Sequence, residues 1–309
     1  MKIIYFLSPR YPYETVIYPG VGPLYAKSFG WPTANIDRLW EVECDIGIVD
    51  NRLMEADFET IDAFLADSAR RFPLFFKLSD PDMPAYADKT TRYTLAKKDV
   101  AGAHYISIYN PAGPLKEFMA SMKRSRMVRL PFPYDRSREI DRDFDGKKRG
   151  VFLSGANHPE LYPMRALLHR QRTVNPLLRF AVPVLRHPGY PENGKEPLHD
   201  IMFGRFVEYA ARFSHFFLCG TRYRVELMKY VECAYAGCVP FGEAPAALRD
   251  ITSDCFVAYS GRSMQLVKEI LSDKQAMQER AAEYRRVMRA ERDPQRLNDE
   301  LRRQVAAVL

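Results

Sequence analysis

Short apolar runs and amphipathic stretches alternate along this chain. KIIYFL near the N-terminus, CDIGIVDN from Cys44 to Asn51, PLFFKLSD and HYISIYN each predict a buried strand, since continuous apolar runs suit a parallel sheet covered on both faces. Between them, Asp57 to Arg71 carries Phe58, Ile61, Phe64 and Leu65 at helical spacing, and PLKEFMASM predicts a further helix. The alternation is interrupted by RLPFPYDRSREIDRDFDGKKRG, which is charged and turn-like, and then resumes. GVFLSGANHP predicts a strand, MRALLHRQ a helix, and RFAVPVL a strand. An irregular section runs from His187 to Pro197. A helix from about Met202 to Arg212, strand HFFLCG, helix VELMKYVECAYAG, and strands CVPFG and DCFVAYS follow, with helices over Met264–Leu271, Lys274–Arg289 and Pro294–Val308 closing the chain. The pattern predicts two doubly wound α/β domains, 1–140 and 141–309. Ligands of such sheets bind beyond the carboxyl ends of the strands, and two sets of ends are expected to face across a cleft.

Composition narrows the class. Hydrophobic residues at 47% with charged residues at 28% describe a globular chain, and no apolar run is long enough to span a bilayer. The apolar part of the N-terminus is cut short by Pro9 and Arg10, which argues against a signal peptide and for the cytoplasm. The five cysteines, Cys44, Cys219, Cys233, Cys238 and Cys255, form no CxxC pair, so neither a disulfide framework nor a zinc site is expected. A net charge of +7 favours an anionic partner. The basic residues are dispersed without a nucleic-acid-binding motif, which leaves a phosphate-bearing small molecule or peripheral contact with anionic lipid at the inner membrane face.

The segment SHFFLCGTRYRVELMKYVECAYAGCVPFGEAP holds a strand, a basic loop, a helix with Lys229 and Glu232, small residues, Gly237 and an apolar-Pro strand. In this order, preceded by a strand ending at Gly155 and a helix bearing Arg165, the second half resembles the donor domain of GT-B glycosyltransferases. The glycosyltransferase family 1-like domain of spore-maturation enzymes is the nearest pattern. The resemblance implies a GT-B fold of two Rossmann-like domains and transfer of a sugar from a nucleoside diphosphate sugar to an unidentified acceptor, without a metal or other cofactor, in polysaccharide biosynthesis. It implies Glu232 on the ribose, and Arg222, Arg224 and Lys229 near the diphosphate, with Gly155, His158 and Arg165 contributed by the glycine loop and the helix behind it. Many retaining members carry a second glutamate eight positions before the first; here that position is Arg224, so neither retention nor a sugar preference carries over.

In the first half, Asp50 at the end of CDIGIVD and His104 in AGAHYIS are the candidate acid–base groups, and Gly20 and Gly22 could bring backbone close to a ligand. Asp80-Pro81-Asp82 has the letters of a metal-binding DxD motif but lies in the acceptor half. A sugar-nucleotide epimerase or hydrolase on the same fold, and a non-catalytic nucleotide-sugar or polyanion binder, are the alternative functions.

Overall fold

The computed structural model describes residues 1–15, 22–78, 80, 82–85, 88–187, 198, 201 and 203–309. Gly20 and most of the 187–197 section lie outside the described residues. The chain forms two compact units, Met1–Pro133 with Pro294–Leu309, and Tyr134–Asp293.

In the first unit, strands β1 (Ile3–Leu7), β2 (Thr33–Asn35), β3 (Ile46–Val49), β4 (Leu74–Leu78), β5 (Ala103–Ser107) and β6 (Met127–Arg129) form a parallel sheet in the order β2-β1-β3-β4-β5-β6. Helices α1 (Gly22–Ser28), α2 (Phe58–Ala66), α3 (Lys89–Ala96) and α4 (Pro114–Ala120) connect the strands. All residues of β3, β4 and β5 are buried, which is the burial expected of strands covered on both faces.

In the second unit, β7 (Lys148–Ser154), β8 (Val184–Leu185), β9 (Phe213–Leu218), β10 (Val239–Gly242) and β11 (Val257–Ala258) form a parallel sheet in the order β11-β10-β9-β7-β8. Helices α5 (Pro163–Val174), α6 (Pro176–Ala181), α7 (Phe203–Ala210), α8 (Met228–Tyr235), α9 (Ala246–Arg249), α10 (Ser263–Ile270) and α11 (Lys274–Glu291) complete it. Val151, Leu153, Leu168, Phe217, Phe241, Tyr259 and Leu266 form one of its cores.

Several expectations change. The RFAVPVL strand shrinks to Val184–Leu185, because Asn175 caps α6 through its side chain to the Leu177 amide and Pro176 opens that helix, which takes Arg179–Ala181. The DCFVAYS strand retains only Val257–Ala258. The helix expected from Val225 starts at Met228, after an irregular loop described below.

The last helix, α12 (Pro294–Val308), packs in the first unit, whereas the sequence division places it in the second. Leu297, Leu301 and Val305 bury its apolar stripe, and Asn298 accepts the Trp31 indole proton at 2.9 Å. Gln304 accepts the Arg129 amide at 2.8 Å and donates to the Arg129 carbonyl at 3.0 Å. An edge strand exposes such groups, so one side chain closes the open side of β6 there. No described helix is long and apolar enough to cross a membrane.

Candidate functional site

In the second sheet the chain runs from β7 outward to β8, then returns to the other side of β7 for β9, β10 and β11. The reversal between β7 and β9 is a topological switch point, where the loops leaving two neighbouring strands diverge and open a crevice. Ser154 and Gly155 leave β7 there, and Cys219 to Leu227 leave β9 and enter α8.

Two cations converge on the turn after β7. Lys229, in the first turn of α8, donates to Ser154 Oγ at 2.9 Å. Arg165, in the first turn of α5, donates from Nη1 to the Ala156 carbonyl at 2.7 Å, and its guanidinium lies 4.0 Å from the centre of the Tyr162 ring. Gly155 makes this approach feasible. Its φ of +103° is outside the range of other residues, and a Cβ would lie 2.5 Å from Lys229 Nζ and 2.8 Å from Arg165 Nη1. Burial pushes the Lys229 ammonium down to about 7, with the Arg165 charge acting in the same direction and Glu232 opposing both. Lys229 and Arg165 therefore lie close enough on this turn for the Arg165 charge to disfavour the ammonium.

Glu232 lies one turn further along α8 and is only 8% exposed. Its carboxylate accepts no hydrogen bond from a described residue. Burial raises its pKa, while Arg138 and then Lys229 hold it down. A desolvated acceptor of this kind gains a bond from a hydroxyl that reaches it.

The other expected donor-site residues divide. The Arg222 amide donates to the Leu161 carbonyl at 2.7 Å, tying the β9–α8 loop to the β7–α5 loop, while its guanidinium lies 4.8 Å from the Tyr223 ring centre. Arg224 does not join Lys229 and Arg165: its Nε meets Glu243 Oε1 at 2.9 Å, beyond the end of β10. Arg224 has a φ of +53°, and a Cβ on Gly220 would lie 2.8 Å from its Cα, so the loop is tightly closed. His158 is exposed, and its carbonyl accepts from the Leu161 and Tyr162 amides. Ser154, Glu243 and Arg138 belong to the surroundings of this site although sequence reasoning did not select them. Glu243 carries the one usable signal, a carboxylate directly after a strand.

The two candidates in the first unit have different positions. Asp50 follows β3 at the reversal between β1 and β3, but its carboxylate is enclosed. Oδ2 accepts from the Tyr5 hydroxyl and from the Gly22 amide at 2.8 Å, and Oδ1 from the Arg52 amide at 2.8 Å and the Tyr13 hydroxyl at 3.4 Å. It ties together four segments. Lys77 on β4 is also fully buried, with its ammonium 4.4 Å from the Tyr25 ring centre and pushed down to about 7 by burial, against the pull of Asp50. His104 is at the amino end of β5, whereas ligands of such sheets sit beyond the carboxyl ends of the strands. It stacks on Phe75 and accepts the Arg126 amide at its Nδ1, and burial, then Arg126, lowers its pKa.

No family model matches the sequence, and no curated protein matches it. Solved structures match across the whole chain. Anabaena HepE in complex with UDP and glucose superposes with a TM-score of 0.59 at 12% identity, over 99% of this chain and 100% of that one. An alpha-glucosyltransferase in complex with UDP and a 13-mer DNA containing an HMU base gives 0.64 at 12%, over 100% and 99%. T4 phage BGT in complex with UDP-glucose gives 0.55 at 12%, over 98% and 99%. With its two parallel-sheet α/β units, the chain has the GT-B glycosyltransferase fold.

Proposed function

We propose that this protein is a glycosyltransferase that takes its sugar from a nucleoside diphosphate sugar, with UDP-glucose the first donor to test, and transfers it to a hydroxyl of a glycan or other acceptor. The observation that carries the reading is the convergence of Lys229 and Arg165 on the Gly155 turn, at a switch point, in a chain whose fold is similar to that of UDP and UDP-glucose complexes. A diphosphate supplies the negative charge this turn lacks, and the two cations stabilise the charge that grows as the bond from the anomeric carbon to the diphosphate oxygen breaks. The acceptor hydroxyl oxygen bonds to that carbon as its O–H bond breaks, the proton passes to solvent, and the nucleoside diphosphate leaves. Glu232 accepts the ribose hydroxyl protons. Because Lys229 and Arg165 carry the leaving charge in this reading, the reaction needs no metal, and EDTA should leave turnover unchanged.

Calorimetric titration with UDP and UDP-glucose tests the reading. Lys229→Met should weaken UDP-glucose binding by about 2 kcal/mol and Glu232→Ala by about 1–3 kcal/mol, as for lost hydrogen bonds to charged groups. Binding of UDP-glucose by both variants as tightly as by the parent would sink the site assignment. Release of free glucose at the same rate with or without any hydroxyl acceptor would favour a hydrolase instead.

A further inference from the structure

The turn between α5 and α6 carries a surface that the donor site does not use. Val174 is 74% exposed, Leu177 72% and Phe180 89%, all within seven residues. Leu177 and Phe180, three apart on α6, share a face of that helix, while Leu178 between them is fully buried in the core with Val182. The turn is firmly held. Asn175 caps α6, Arg172 Nε donates to the Val182 carbonyl at 2.8 Å, and Arg179 Nη2 to the Thr173 carbonyl at 2.9 Å. A stapled turn presenting three large apolar side chains to water is an arrangement a soluble surface rarely carries without an interaction to serve.

Along the sequence, the charge flanking it is of one sign. From Leu161 to Pro191 the sequence contains no Asp or Glu, but five arginines, 165, 170, 172, 179 and 186. Arg170, Arg179 and Arg186 are exposed. Exposed apolar side chains with exposed arginines close by in sequence match the interface of an anionic bilayer, where Phe and Leu enter the acyl boundary and guanidinium groups meet lipid phosphates. A nucleic acid would use the arginines but leave the aliphatic groups in water, and a second copy of the chain would place its arginines against these.

We infer that the α5–α6 turn, through Val174, Leu177 and Phe180 with Arg170 and Arg179, docks the protein on the surface of an anionic membrane. The inference is independent of the donor site. Cosedimentation with phosphatidylcholine vesicles, with and without about one-third phosphatidylglycerol, tests it. The parent should bind the anionic vesicles at least about tenfold more tightly than the neutral ones, and less tightly at high salt. Leu177→Ser with Phe180→Ser, and separately Arg170→Glu with Arg179→Glu, should each weaken binding by about tenfold or more. Phe180→Trp should shift its emission to the blue on adding anionic vesicles. Thermal unfolding of each variant near the parent's midpoint shows that the fold is kept. Equal vesicle binding by parent and both double variants overturns the inference. So does a parent that ignores vesicles but retains duplex DNA, or one that ignores vesicles and is a dimer that Leu177→Ser with Phe180→Ser dissociates.

Discussion

Lys229 is held between burial and Arg165, which push its proton off, and Glu232, which retains it. The free protein's ammonium titrates near 7, and a bound diphosphate raises that value, so binding above it requires proton uptake. Affinity for UDP-glucose, whose phosphates do not titrate in this range, should be flat below pH 7 and fall by up to about tenfold per unit above it. Calorimetric titration across that range checks the sign, and Lys229→Met should flatten the curve. Unliganded stability runs the other way: an unfolded lysine keeps its proton to about 10.4, so this group makes folding more favourable as pH rises from 7 toward that value. Gly155→Ala combines an unfavourable φ with a clash against both cations, and should cost about 1–3 kcal/mol in chemical denaturation together with most UDP affinity. Asp50 separates two roles by the same measurement. As a tie accepting four hydrogen bonds, it predicts that Asp50→Ala destabilises the fold by about 2–4 kcal/mol. Unchanged stability with lost turnover would favour the acid–base role instead.

Among the elements, β6 and α12 show how a side chain completes a sheet. The Arg129 amide and carbonyl at the edge of β6 would face solvent, and Gln304 satisfies both. Gln304→Leu removes these two bonds while keeping the bulk, and should cost about 1–2 kcal/mol by urea denaturation. A change within a few tenths would mean that water replaces the glutamine without loss. The late start of α8 has a different origin. The loop from Cys219 to Leu227 folds tightly on Gly220 with Arg224 left-handed, and only then can Lys229 enter the first helical turn facing Ser154.

For the molecule as a whole, the two units each have their own parallel sheet, and the chain passes from the first to the second and back at Asp293–Pro294. If the donor site is built as proposed, hydrogen exchange with UDP-glucose present should slow in peptides covering 153–166 and 219–233. Protection confined to β1–β6 would place the nucleotide in the first unit.

Alternating apolar runs and helical spacing were sufficient to indicate two parallel-sheet units, because local burial demands follow directly from which neighbours along the chain are apolar. Glu232 was singled out by the resemblance of its segment to a GT-B donor domain, since a lone carboxylate on a short helix reads equally well as a solvated residue. The resemblance also placed Lys229 and Arg165 at the donor site, but not their convergence on one turn. Nothing along the chain links Arg165 to Lys229, and their meeting depends on β9 returning to the other side of β7, a matter of sheet order. The partner of Arg224 was equally hidden, since Glu243 comes from the next strand over. The stripe Leu297, Leu301 and Val305 announced a helix with one face to bury, yet apolar attraction has no direction, and nothing along the chain pairs Gln304 with the edge groups of β6. Sequence spacing governs what each segment must bury, and the packing of distant segments governs which polar groups then meet.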